Sequence, residues 1–439
     1  MPDNSQTNNK NHWRYREPAF AKDQAAYQES LFTIGNGYLG VRGYFDEGYG
    51  ADIPNTSCAA FLNGVYESLP IEYDESAYGF ARNCHRIIDV PRHKFLVEAN
   101  GVPFDWQHGS VRNYSRSLDF RTGTLVRIVE WLLPNQQSLK LSWERTALSQ
   151  NRNIMLAKLT VEAIDFSGEM NVLSVLSAEY PQVADHDDPR KGGRVPSENW
   201  HCLSANQNSQ YSQYIHLAKN SGIAVATSMH SESDGQQSQG QDVAASQLTD
   251  YHRLVLNKGE TTVIVAFVSY VDSRSHARSY ECNEFPAGTT EQRRSDGLSE
   301  CGHQLLDTAT RAGFDSLLAE QRQHLDDFWR TADVQIDADD NSQFAVRFAL
   351  FHLCQSTGQD GISSIAAKGV SGGGYDGHYF WDAETYVFPF WLFTHPGRAR
   401  QLIAYRVNTL AAAKKRAREM GHSKGALFAW RTIGGAECS

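Results

Sequence analysis

Long apolar runs are missing from this chain. No stretch of eighteen apolar residues occurs among its 439, so no segment reads as a membrane-spanning helix. Long basic runs are missing too, and the formal net charge is −10, which argues against nucleic acid as a partner. Cysteine is sparse and scattered: Cys58, Cys84, Cys202, Cys282, Cys301, Cys354 and Cys438 form no CxxC pair. That pattern fits reduced thiols better than a disulfide framework or a zinc site. No HExxH spacing marks a metal, and Gly372–Gly374 lacks the GxxxxGK[ST] of a phosphate loop. The first residues, MPDNSQTNNKNHWRYREP, carry no apolar core of the kind a secretory signal needs. These absences predict a cytoplasmic globular protein without a metal, with length enough for two or three domains.

What is present changes character along the chain. From Ser30 to about Val271 short runs rich in β-branched residues alternate with turn residues, as in Gly123–Leu133, Ile154–Val161, Glu169–Leu176 and Thr261–Tyr270. Many strands without intervening helices predict antiparallel sheets in a sandwich. Two polar stretches, Asp185–Arg194 and Ser228–Gln247, read as mobile loops. After about Thr290 apolar residues recur at helical spacing. One helix should end at Gly313 and a second carries Leu325, Phe328 and Trp329. Beyond Asp339 helices continue: Phe344, Phe348 and Phe351 line one face, Val346, Leu350 and Leu353 another. A helix from Pro396 to Met420, closed by Gly421, is the last expected. About three helices after Asn341 are too few to enclose a core, so Ser439 reads as a break inside a domain.

Lys368–Phe393 carries the chemistry. Nine of the nineteen residues from Tyr375 to Phe393 are aromatic, where the chain average of 11% predicts about two. Rings beside carboxylates suit a pyranose, which offers an apolar C–H face and a rim of hydroxyls. Asp382 and Glu384 are the candidate carboxylate pair. On a helix they would point about 200° apart, so one should bind sugar hydroxyls while the other braces the fold. His378 can act as acid–base or hydrogen-bond donor, or can orient the loop. The glycine triplet can admit a ligand to the backbone or form a tight turn. Trp430 and Arg431 can grip sugar hydroxyls or phosphate, or merely pack. Glu29–Gly43, ESLFTIGNGYLGVRG, reads chiefly as a structural turn in which Arg42 is a buried organiser, with a loop bordering the site as the alternative.

At these residues the sequence resembles glycoside hydrolase family 65. The likeness rests on ESLFTIGNGYLGVRG, NYSRSLDFRTGTLVR, SWERTALSQNRN, KGVSGGGYDGHYFWDAE and LFAWRTIGGAECS, spread over nearly the whole chain. It implies an amino-terminal antiparallel β-sandwich (1–280), a helical linker (281–338) and the start of an (α/α)6 catalytic barrel (339–439). It further implies inverting phosphorolysis of an α-linked glucose disaccharide, with maltose expected, to β-glucose 1-phosphate. Inorganic phosphate is the co-substrate, no cofactor is needed, and the full-length form is expected to be a homodimer. Hydrolysis by a relative of the same family and a non-catalytic carbohydrate-binding or dimerising sandwich are the alternatives.

By the same resemblance Trp381 and Asp382 line the subsite for the non-reducing glucose. His378 and Lys368 flank it, and Trp430 and Arg431 belong to a loop approaching the sugar. Ala383 stands where the family's FWDTE has threonine, and Phe428–Trp430 departs from FPW. The family's catalytic glutamate matches no residue of this chain, Glu437 included, so the chain by itself is expected to be inactive.

Overall fold

The computed structural model describes residues 12–439 except 51–52, 54–55, 76, 181–194, 196, 235–237, 245, 275–290 and 338. The expected loop Asp185–Arg194, the expected boundary at 280/281 and Cys282 lie outside the described residues. The first helix, α1, spans Ala25–Leu31. Strands dominate the rest of the first half. A nine-stranded sheet runs, in spatial order, Arg14–Glu17, Ser110–Asp119, Thr124–Leu132, Ser138–Ala147, Ile154–Ala163, Thr261–Asp272, Ala224–Ser233, Ser212–Ala218 and Trp200–Gln207, antiparallel throughout. A five-stranded sheet faces it, and Phe95, Val97 and Val172 of that sheet share a core with Val129, Trp131 and Leu141 of the larger one. A smaller four-stranded sheet ends on the strand Asn83–Asp89.

Alternation drives this pairing. In Thr124–Leu132 the side chains of Leu125, Val129 and Trp131 are buried while Val126, Ile128 and Glu130 are only half-buried. Arg127 occupies an inward position between them, but it pairs with Glu47 at 2.6 Å and lies over the Trp143 ring at 4.1 Å. A buried arginine is tolerated here because its charge is matched.

The stretch Ser228–Gln247 corrects an expectation. Instead of a loop it continues the strand Ala224–Ser233 and forms the edge strand Ser238–Ala244, paired with Gln247–Leu256. Serine, glutamine and glycine there are outer-edge composition rather than a loop signal.

Helix α2 (Glu291–Ala312) lies on the outer face of the nine-stranded sheet, where Leu298, Leu305, Leu306 and Ala309 pack on Leu156, Ala226 and Phe267. This cover explains why successive residues Ala266, Phe267 and Val268 are all buried. Gly313, at φ +81°, breaks the chain into α3 (Phe314–Ala332), whose Trp329 donates to the Phe120 carbonyl at 2.8 Å. Helix α4 (Asp340–Ser356) begins at Asp339, whose carboxylate accepts from Ser342 N at 2.9 Å. Its Phe351 stacks on Phe120 at 5.3 Å and its Phe348 meets Tyr15 at 5.6 Å, so one face seals against the sheets.

Helix α5 (Phe388–Thr394) follows. The single helix expected from Pro396 to Met420 is two, α6 (Pro396–Asn408) and α7 (Leu410–Glu419). The break falls at Thr409, whose hydroxyl donates back to the carbonyls of Tyr405 and Arg406. Four helices rather than three therefore follow Asp339 among the described residues. No described helix is long and apolar enough to cross a membrane.

Five histidines are buried within this frame: His85, His93, His216, His252 and His378. Burial lowers His85, His216 and His252 to about 4 and His93 well below its usual value. The unfolded chain therefore binds protons that the folded chain refuses. Stability should be fully present above about pH 6.5 and fall as the pH drops from there toward 4. Denaturant titrations at a series of pH values check this, and equal stability at pH 7 and pH 5 would contradict it.

Candidate functional site

The segment Gly374–Phe393 builds one wall of a cleft of about 680 Å³, within the range of small-molecule sites. Gly374–Gly377 forms a tight turn in which Tyr375 and Asp376 both adopt left-handed backbone, at φ +54° and +56°. Two successive non-glycine residues there are strained, and such strain persists only when neighbours enforce it. Gly377, at φ +76°, sits against the strand Asn83–Asp89, where an added Cβ would come within 2.7 Å of the Ile87 Cβ. The turn delivers the Tyr375 ring to the cleft and Asp376 to the other side.

Asp382 then opens a helical stretch with a π turn over Ala383–Val387. Its two acids part company, as the helical geometry requires. Glu384 is held by Arg406 at 2.6 and 2.8 Å and braces the fold. Asp382 is exposed, lines the cleft and has no hydrogen-bond or ion-pair partner among the described residues.

The second wall element comes from the last residues. Tyr379 and Thr432 exchange backbone hydrogen bonds at 2.8 and 3.2 Å, zipping the two segments together. Trp430 thereby meets Phe380 edge-on at 5.6 Å and Trp381 at 5.4 Å. Trp381 donates to the Ala429 carbonyl at 2.9 Å, and both indoles remain 45% exposed. Two large rings left half-bare beside an unpaired carboxylate are unusual unless something covers them. Lys368 lines the same cleft, with its ammonium 5.9 Å from the Tyr375 ring centroid.

Trp381, expected to line the sugar subsite, is not among the cleft's lining residues and reaches it only by its contact with Trp430. His378 and Arg431 do not line the cleft either. They lie behind its wall, where Arg431 Nη2 pairs with Asp376 at 2.6 Å and Arg431 Nε is 2.9 Å from His378 Nδ1. That same nitrogen is 2.6 Å from the Tyr375 carbonyl, so it can donate to the carbonyl or accept from the guanidinium, but not both. Burial, with the Arg431 charge in second place, lowers His378 to about 3 and keeps it neutral. Glu437 is likewise a brace: it accepts from the backbone of Trp430 and Arg431.

The glycine-rich segment Glu29–Gly43 supports the cleft from below. Gly40 lets the chain approach so closely that an added Cβ would stand 2.2 Å from the Val370 carbonyl. Arg42 is buried, pairs with Glu29 at 3.3 Å and donates to the Ser371 carbonyl. Thr33 reaches the cleft itself. The segment is a structural turn that also borders the site.

Several participants escaped the sequence. Tyr375 and Phe380 were hidden among nine similar rings. Arg86, 3.7 Å from Asp376, and Cys84 come from a strand some 290 positions earlier, with no local signal. Cys84, Asp376 and His378 are the one group among the described residues that brings three metal-type donors together. A groove of about 760 Å³ beside Arg253 and Val255 has no aromatic side chain among the described residues that line it, unlike the cleft.

Comparison with known proteins agrees with this layout. Residues 15–328 match the N-terminal domain of glycosyl hydrolase family 65, and residues 347–439 match that family's central catalytic domain. An α,α-trehalose phosphorylase of Thermoanaerobacter brockii is 32% identical over 437 residues, which cover 97% of this chain and 53% of that protein. One from Geobacillus stearothermophilus is 33% identical, covering 94% and 51%. A kojibiose phosphorylase of Halothermothrix orenii is 26% identical, covering 96% and 50%. A solved structure described as a kojibiose phosphorylase from the human microbiome has the same fold, with a TM-score of 0.83 at 24% identity over 98% of this chain and 53% of that one. The chain spans about half the length of the curated relatives it matches.

Proposed function

The chain belongs to glycosyl hydrolase family 65, and from that premise we propose that its cleft holds the non-reducing glucose of an α-linked disaccharide undergoing phosphorolysis. The observation that carries this is that the unpartnered Asp382 carboxylate and the half-exposed Trp430 ring line one cleft, with the half-exposed Trp381 ring standing edge-on to Trp430. In this role the indoles cover the C–H faces of the pyranose and Asp382 accepts from its hydroxyls. Lys368 supplies the cationic donor for a hydroxyl or for phosphate. His378 and Arg431 act through the wall, by holding the turn that carries Tyr375.

Bond cleavage needs a proton for the leaving oxygen. Asp382 is the one carboxyl group among the described residues lining the cleft. Glu384 and Glu437 are committed to Arg406 and to backbone amides. These residues therefore build a glucose subsite without a separate general acid, and phosphate attacks the anomeric carbon only once such an acid is supplied. Phosphate as co-substrate, no further cofactor, an (α/α)6 barrel and a dimeric whole protein complete the proposal.

Among α-glucosides, trehalose ranks first and kojibiose second, following the names and identities of the relatives above. Maltose, expected from the sequence, finds no support in those names and stays in the panel as a test substrate. Tryptophan fluorescence titrations with methyl α-glucoside, trehalose, kojibiose and maltose should show saturable binding. Incubation of the same chain with each disaccharide and phosphate should release no glucose 1-phosphate. Turnover would show that the cleft already contains its acid, and release of glucose without phosphate would favour a hydrolase.

A further inference from the structure

We propose that Cys84, Asp376 and His378 form a binding site for a zinc-class divalent ion behind the wall of the cleft. The thiol Sγ of Cys84 lies 3.8 Å from Asp376 Oδ2 and 3.9 Å from His378 Nε2, and all three donor atoms fall within 4.8 Å of one another. In a tetrahedron built from Zn–S bonds of about 2.3 Å and Zn–N or Zn–O bonds of about 2.0–2.1 Å, ligand atoms stand roughly 3.3–3.6 Å apart. Inward shifts of a few tenths of an ångström close the sulfur contacts. One sulfur, one nitrogen and one oxygen suit zinc better than magnesium or calcium, which take oxygen.

His378 suits this use in one of its two tautomers, the one in which Nδ1 donates to the Tyr375 carbonyl and Arg431 Nε, 2.9 Å away, gives up its bond to that nitrogen. Its Nδ1 sits 2.6 Å from the Tyr375 carbonyl, the outer partner that a ligating histidine typically employs. With the proton on Nδ1, the lone pair of Nε2 is presented to the Cys84 and Asp376 side. Asp376 and His378 are buried, while Cys84 is only partly so and offers a route in from solvent.

A competitor is also present. Arg431 holds Asp376 at 2.6 Å, with Arg86 at 3.7 Å. An ion must take Asp376 from Arg431 and a proton must leave the Cys84 thiol. Because Asp376 follows Tyr375 and Arg431 follows Trp430, the ion would pull on both cleft-lining aromatics from behind.

The test uses the full chain and zinc alone. Calorimetric titration in two buffers of different ionisation enthalpy should give one ion per chain with release of one proton. Cobalt in place of zinc should give a thiolate charge-transfer band. Cys84→Ser should abolish the band and weaken zinc by more than the roughly 10–100-fold typical of losing an outer partner. Arg431→Met removes the competitor and should tighten zinc. If that variant fails to fold, Arg431→Lys, which keeps a charge but not the guanidinium fork, should tighten it less. Absence of stoichiometric binding, equal binding by Cys84→Ser, or weaker binding after loss of Arg431 would each overturn the site.

Discussion

Asp382→Asn should weaken glucoside binding to the cleft by roughly 10- to 150-fold, the equivalent of the ~1.5–3 kcal/mol carried by hydrogen bonds to a charged group. The thermal midpoint should not move. Asp382 is exposed and has no partner among the described residues, so its charge contributes to a ligand rather than to the fold. The contrast with its neighbour sharpens the expectation. Glu384→Gln breaks a bidentate pair with Arg406 and should lower stability before it lowers affinity. Titration of both variants, each with a melting curve, separates the two roles. Equal affinity loss in both would mean that Asp382 does not touch the sugar.

The second large effect lies beneath the cleft. Glu29 is fully buried and accepts from Arg42, from Ser57 N at 2.9 Å and from Cys58 N at 3.2 Å. Glu29→Ala leaves the Arg42 guanidinium buried without a counter-charge, which costs about 3–5 kcal/mol. Replacing both partners with apolar residues, Glu29→Leu with Arg42→Met, should cost less than the single change. Because Arg42 also donates to the Ser371 carbonyl, the single variant should disturb the cleft as well. Urea denaturation gives the sizes. A loss below about 1 kcal/mol in Glu29→Ala would show that the pair is not what holds this turn.

These two residues mark how far the sequence could be read. That Asp382 and Glu384 point apart follows from residue spacing on a helix, and the pairing of Glu384 with Arg406 is the bracing half of that expectation. The burial of Arg42 was legible from its glycine-rich surroundings, but its partner Glu29 lies a helical turn and a loop away. His378 and Arg431 were expected near the sugar because both can bind one. Only tertiary packing shows them facing Asp376 and Cys84, because a left-handed pair at Tyr375–Asp376 turns successive side chains to opposite sides of the wall. No periodicity encodes that reversal. The stretch Ser228–Gln247 differs for another reason: a strand at the edge of its sheet can have the composition of a loop. The burial of successive residues in Thr261–Asp272 likewise makes sense only with α2 laid across the sheet.

The central claim is that glucose sits against Trp381, Trp430 and Asp382. A crystal structure of the chain soaked with methyl α-glucoside tests it most directly. The expected result is a pyranose with its C–H face on one or both indoles and at least one hydroxyl within about 3.2 Å of the Asp382 carboxylate. A sugar bound elsewhere, or an ordered glucoside that leaves Asp382 without a contact, would contradict it.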